Sequence, residues 1–209
     1  MASFPSLNPL RFAEAIDFFR RRNVITDEAW RHLSAEARMR SVWVAGVARE
    51  HLLREVLAEI DRALNEGMTF GEFADRLQGK LINEWQGTVR NPAFRVETIY
   101  RTNLQTSFNA GRYTQQSSDE LVMARPYWQY DALLDNRTTA LCTSLHETVM
   151  PADGTFWSIY YPPNHFNCRS SVITLSEQDM RLFGFRVSER PPRPPVAEGF
   201  GAVPSLKIP

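Results

Sequence analysis

Apolar residues in the first half of the chain recur every three or four positions, the spacing of a helix with one buried face. Phe12, Ala15, Ile16 and Phe19 form the first such stripe. Asn8-Pro9 ahead of them reads as an N-cap followed by proline at the first helical position. Thr26 is placed to cap a short second helix, with Asp27 and Glu28 in its first turn. Ser34 opens a longer stretch in which Met39, Trp43, Val47, Leu52, Val56, Ile60 and Leu64 repeat at four- or five-residue steps. That spacing predicts one helix of about seven turns. Gly67 ends it, and Thr69 with Glu72 forms a capping box for the next. Phe70, Phe73, Leu77 and Leu81 are the buried stripe of that helix. A further helix is predicted from about Asn91 to Ser117, with Ile99, Leu104 and Phe108 on one side.

After Ser118 aromatic and β-branched residues take over. Tyr127–Tyr130, Thr155–Tyr161 and Ser171–Leu175 are three candidate strands. Pro151-Ala152-Asp153-Gly154 is a turn, and Pro162-Pro163-Asn164 sets an extended bend. Ser176 caps a short helix ending near Phe183. From Pro191 onward six prolines fall within 19 residues, which favours an extended arm anchored by Phe200, Leu206 and Ile208 on a neighbouring molecule. The reading is an α+β chain. A helical domain covers 1–118, a small α+β domain covers 119–190, and a proline-rich extended tail covers 191–209.

Composition narrows the class. A content of 43% hydrophobic and 23% charged residues excludes wholesale disorder and a disulfide scaffold. Lys+Arg and Asp+Glu each number 24, so no net charge holds the chain on DNA. No apolar run is long enough to span a membrane. The first residues lack the pattern of a secretory signal, so synthesis in the cytosol is expected, with both cysteines reduced.

Candidate chemistry concentrates between Cys142 and Cys168. Both cysteines and two of the four histidines lie there, as Cys142-x3-His146 and His165-x2-Cys168. Two ligand pairs separated by a loop suit a structural zinc site. The alternatives are buried core cysteines with His165 bonded to backbone, a Cys142–Cys168 disulfide, or a scattered set. A thiol beside an imidazole is also the raw material of a cysteine nucleophile, with Asp135 as orienter. Asp135-Asn136-Arg137-Thr138 reads as a turn in which Asp135 caps following amides and Arg137 pairs locally. The stretch from Glu97 to Tyr113 is unusually polar for a helix, with Arg101 and Arg112 on one face. It reads either as an interface helix or as a central helix that hydrogen-bonds the domains together. The second reading expects Arg101 to pair with a carboxylate or with carbonyls, and Asn103 to be structural.

Taken in order, these segments form a recognisable series: Phe18-Phe19-Arg20-Arg21-Arg22, then Tyr100-Arg101-Thr102-Asn103 with Ala110-Gly111-Arg112, then Asp135-Asn136-Arg137-Thr138 with Cys142, and last Pro162-Pro163-Asn164-His165-Phe166-Asn167-Cys168-Arg169. The series resembles the phage Mu F-like minor head protein family, also called the phage head morphogenesis family, over roughly residues 10 to 176. Members often carry further cysteines where this chain has Thr139 and Ser170, which leaves at most the four-ligand set. The resemblance implies a low-copy virion component, made in the host cytoplasm and held in the head interior or at the portal vertex. It implies the portal protein and a major capsid or scaffold protein as partners, with DNA contact that is not sequence-specific and no membrane. Tyr100, Arg101, Thr102, Asn103, Gly111, Arg112, Asp135, Arg137 and Arg169 are its expected structural or interface residues. A structural head protein without enzymatic activity is the leading function. A Cys/His-dependent hydrolase or nuclease is the alternative, and it lacks paired carboxylates near the histidines and a glycine-rich phosphate loop.

Overall fold

The structure, a computed structural model, describes residues 12–205 apart from 26, 43, 45, 46, 48 and 86. The expected caps at Asn8-Pro9 and Thr26, and the tail anchors Leu206 and Ile208, lie outside the described residues. The architecture is α+β, helical first and strand-containing later. Helices α1 (Ala13–Arg21), α2 (Asp27–Arg31) and α3 (Ala35–Met39) come first, with short strands β1 (Asn23–Val24) and β2 (Ser41–Val42) pairing in parallel. Then follow α4 (Glu50–Glu66), α5 (Phe70–Trp85) and the 25-residue α6 (Pro92–Gln116). The second half contains α7 (Asp119–Ala124), β3 (Tyr127–Asp131), α8 (Ala140–Leu145), β4 (Val149–Pro151), α9 (Trp157–Tyr160), β5 (Ser171–Leu175) and α10 (Glu177–Phe183).

Most predicted ends form as expected. Gly67 adopts φ 71° at the end of α4 and returns its N–H to Ala63 O. Thr69 and Glu72 make their reciprocal cap on α5, and Ser176 makes one with Asp179 on α10. Asn91 caps α6 through Phe94 N–H. The single helix expected from Ser34 to Leu64 does not form. It is broken between α3 and α4, where Arg22 takes the Ser41 carbonyl and Asn23 N–H takes the Arg40 carbonyl. β-branched Val42, Val44 and Val47 are buried on this crossing, where an unbroken helix would turn some of them to solvent. The strand expected at Thr155–Tyr161 is also wrong. Trp157, Tyr160 and Tyr161 are spaced to meet one apolar face as a helical turn, and all three are buried. That packing outweighs their preference for strands. The sheet is completed instead by β4, in the order β4-β3-β5, antiparallel throughout.

The apolar side chains form two large clusters. One joins α1, α4, α5 and α6 through Phe19, Val56, Ile60, Phe73, Leu77 and Val96. The other gathers Trp128, Tyr130, Leu145, Trp157, Tyr161 and Val172 around the sheet. Each fully buried side chain of this size is worth about 1.5–3 kcal/mol. Helix α6 serves both. Its near side touches α1 so closely that a Cβ on Gly111 would lie 2.7 Å from Phe12 Cζ and 2.8 Å from the Ala15 nitrogen. Its far side meets the sheet, where Tyr113 packs edge-on against Trp128 and Tyr161.

The described part of the tail is extended and packs back on its own chain. Phe200 and Ala202 are buried against Met39 of the same chain. Ala197 N–H donates to Asn164 O, Glu198 pairs with Arg38 at 3.2 Å, and Phe166 meets Phe200 edge-on. The expectation of an arm laid on another molecule is therefore corrected over the described part of the tail. Two tests follow. Gly111→Ala should lose about 1–3 kcal/mol in urea unfolding, because backbone at Ala15 cannot yield. Gly79→Ala on α5, where no neighbouring atom lies within 4 Å, should gain up to about 1 kcal/mol. Phe200→Ala should lower stability by about 3 kcal/mol, the lower end for a buried phenylalanine, and a melting temperature unchanged by that substitution would contradict the packing.

Candidate functional site

The polar residues of α6 are satisfied in two ways. Some bond back to their own helix: Asn103 Nδ2 donates to Ile99 O, Thr106 to Thr102 O and Ser107 to Asn103 O. The others reach across. Gln105 and Asn109 donate to Ser170 O at 2.9 and 3.3 Å, and Gln116 donates to Val172 O at 2.9 Å. Asn167 closes the join from the other side, donating through its backbone N–H to Thr102 Oγ1 and through Nδ2 to Thr98 Oγ1. Asn167 sits at φ 58°, a left-handed conformation that asparagine tolerates better than most residues. Tyr100 donates its hydroxyl to Met68 O and packs on Phe70 and Phe73. Arg101 pairs with Glu97 one turn earlier and is only half-buried, while Arg112 is exposed.

This join presents the loop from Tyr161 to Ser170 to helix α8, and the sulfur chemistry lies between them. Thr139 caps α8 through Cys142 N–H and so fixes the start of the helix that carries Cys142. The donor atoms of Cys142, His165 and Cys168 all lie within 4.8 Å of one another. Cys142 Sγ is 3.1 Å from His165 Nε2 and 3.9 Å from Cys168 Sγ. Both cysteines are buried and unbridged. His146, the fourth expected ligand, is elsewhere in role: it ends α8, and its Nδ1 accepts the Ala132 N–H at 3.1 Å. Three of the four expected residues converge, and His146 is corrected to a backbone partner.

Two residues that sequence reasoning left unassigned complete the surroundings. Tyr130 OH lies 3.3 Å from Cys142 Sγ. Asn164, fully buried, donates from Nδ2 to Tyr130 OH and to Tyr160 O. The sequence signal was Asn164 inside the Pro-Pro-Asn-His segment, but nothing local connects it with a tyrosine 34 positions earlier. The protons divide unequally over the sulfurs. The Cys168 thiol hydrogen-bonds Cys142 and holds it below the usual thiol range against the opposing effect of burial, with His165 adding to the effect. Cys168 is pushed up by that same bond and by burial. Burial acts to lower the His165 pKa, but its bonds to Cys142 and to Phe166 O outweigh it and the net shift is upward.

At the rim, Arg169 grips Asp135 with both terminal guanidinium nitrogens, Nη1 donating to Oδ2 at 2.7 Å and Nη2 to Oδ1. Arg137, expected to pair locally, contributes its backbone N–H to Asp135 Oδ1 instead. Leu133, Thr139, Cys142, His165, Asn167 and Arg169 lie among the residues around an opening of about 10 Å³. That is room for about one water. A separate groove of about 640 Å³ runs beside the start of α6, between Phe94, Phe166 and Phe200. Arg22 lines it and bonds Ser41 O and Asn103 Oδ1, and burial lowers its pKa to about 9.

The buried thiols, the water-sized opening and the polar join describe an α+β domain whose Cys/His set is built into its interior. The chain belongs to the phage Mu F-like family: the profile described as Phage Mu protein F like protein matches residues 54–173. It is 36% identical over 189 residues to a protein named as capsid assembly protein F of Escherichia phage Mu, covering 84% of this chain and 43% of that protein. It is 31% identical over 169 residues to the Mu-like prophage FluMu F protein of Haemophilus influenzae, covering 76% of this chain and 40% of that protein. The aligned part of this chain thus spans about two fifths of the length of these relatives. No solved structure matches the chain. No helix among the described residues is long and apolar enough to cross a membrane.

The Asp135–Arg169 clamp gives a pH test. Arg169 holds the Asp135 carboxyl well below the ordinary range, helped by the Arg137 N–H. A depressed folded pKa contributes stability that is complete above the unfolded value, about 3.9, and is lost as pH falls through the folded one. Asp135→Asn should therefore lower the melting temperature at neutral pH. The gap from the parent protein should close steadily between about pH 5 and about pH 2. A gap independent of pH would show that the carboxylate charge is not what matters.

Proposed function

We propose that this chain is a minor head protein of a tailed phage or prophage, a structural component that acts in capsid assembly and sits at the portal vertex. The observation that carries the proposal is the 36% identity over 84% of the chain to a relative named for capsid assembly. Its partners in this reading are the portal protein and the major capsid or scaffold protein, and its place is the virion head after synthesis in the host cytoplasm. A role in packaging or ejection would bring DNA contact that is not sequence-specific, made by local arginines, because 24 basic and 24 acidic residues leave no net charge to drive it.

A non-enzymatic role is supported by the interior. An opening of about 10 Å³ above Cys142 admits no substrate larger than water. Cys142, His165 and Cys168 converge without a carboxylate among them, and the clamp at Asp135 is spent on Arg169. A nucleophile needs a path to a reacting atom and an orienter for its base. Here Asp135, the orienter expected for a nucleophile, is held by Arg169, and His165 Nδ1 lies against the Phe166 carbonyl at 2.7 Å, a partner that suits a structural histidine equally well.

The test is deletion of the gene from the phage that encodes it, with complementation in trans. Electron micrographs of the lysate should show empty, aberrant or unfilled heads and a fall in infectious particles of at least about tenfold. The protein should also co-purify with portal from assembling heads. Normal numbers of filled, infectious heads after deletion would reject the proposal.

A further inference from the structure

The geometry points to a zinc centre made by Cys142, His165 and Cys168, with a water as fourth ligand and His146 excluded. An open fourth position is the pattern of catalytic zinc, but an opening of about 10 Å³ has room for about that one water, which leaves the ion a structural tie. A tetrahedral zinc with sulfurs at about 2.3 Å places two thiolates about 3.8 Å apart. Cys142 Sγ and Cys168 Sγ are 3.9 Å apart. A thiolate and an imidazole nitrogen at about 2.0 Å from the same ion lie about 3.5 Å apart. Cys142 Sγ and His165 Nε2 are 3.1 Å apart, so a few tenths of an ångström of side-chain rotation brings them to that spacing. A disulfide bond needs about 2.05 Å between sulfurs, and the pair would have to close by nearly half its present separation.

Three independent features suit a metal better than an apolar core. First, His165 is orientated as a ligand. Its Nδ1 lies 2.7 Å from Phe166 O, which makes Nδ1 the protonated nitrogen and leaves the Nε2 lone pair between Cys142 Sγ at 3.1 Å and the Thr139 hydroxyl at 3.0 Å, a hydrogen bond that a metal ion would replace. A backbone carbonyl behind the ring is a common outer partner of metal-bound histidine. Second, Cys142 has an outer partner of its own in Tyr130 OH, which Asn164 holds in place. Third, Asn167 lines the small opening beside Thr139, and its buried Oδ1 has no hydrogen-bond partner among the described residues. A buried amide oxygen left alone costs free energy. A zinc-bound water in that opening would place a donor beside this residue. The centre would tie α8 to the loop from Tyr161 to Ser170, a loop with no helix or strand of its own to fix it.

The experiment uses the full chain expressed without a polyhistidine tag. Elemental analysis of the purified protein should give one zinc per chain. Replacement with Co²⁺ should give the visible bands of a tetrahedral site and a near-ultraviolet thiolate-to-cobalt transition with the intensity of two thiolates. His165→Ala should weaken Co²⁺ affinity about a hundredfold or more, whereas His146→Ala should leave both spectrum and affinity unchanged. Cys142→Ser should lose the metal, and if it also unfolds, the parent spectrum still counts the thiolates. The proposal is overturned if the parent chain neither retains zinc nor develops the thiolate transition. It is equally overturned if His146→Ala removes the metal and His165→Ala does not. Mass spectrometry of freshly purified protein showing a Cys142–Cys168 disulfide would also overturn it.

Discussion

A carbonyl buried between two apolar clusters must find a donor, because water is not there to supply one. In this protein the carbonyls of Ser170 and Val172 face that constraint, and the amides of Gln105, Asn109 and Gln116 meet it. The arrangement explains why α6 is so polar. A helix of leucine and alanine would be more stable alone, but it could not satisfy the backbone of the segment it covers. The same helix needs Gly111 on its opposite side so that α1 can approach. The two halves of the chain are held in register by one element whose sequence is a compromise between them.

The sulfur set depends on that join. Cys168 lies between Asn167, anchored to Thr98 and Thr102, and the Ser170 carbonyl, anchored to Gln105 and Asn109. Its partner Cys142 is placed by a different device, the cap that Thr139 makes at the start of α8. Thus one ligand arrives on a loop pinned by a helix, and the other on a helix pinned by its own first turn. Arg169 and Asp135 then tie the two supports together at the surface, one residue beyond Cys168 and seven before Cys142.

Legibility followed the range of the interactions. Gly67, Thr69–Glu72, Asn91 and Ser176 act within a few residues of themselves, and each end they mark is present in the fold. The strands at Tyr127 and Ser171 carried enough aromatic and β-branched side chains to be read. The break after Met39 was not readable, because its cause is Arg22, 19 positions upstream of the Ser41 carbonyl that it takes. The helical turn at Trp157 was hidden for a similar reason: its aromatic residues suit either period, and only the apolar face contributed by Trp128 and Tyr113 decides. In the site, the grouping of Cys142, His165 and Cys168 was visible from composition. His146 was misassigned because spacing alone does not say which way a ring at a helix end turns, and here it turns to Ala132.

The contact between the tail and Met39 also sets an order of events during synthesis. Glu198 and Arg38 are 160 positions apart, so Met39, Trp30 and Arg38 leave the ribosome long before the residues that cover them. Until then the apolar surface around Met39 lacks the residues that cover it in the folded chain. The patch is closed only when Phe200 and Ala202 have been made, so the first helices are completed by nearly the last described residues of the chain.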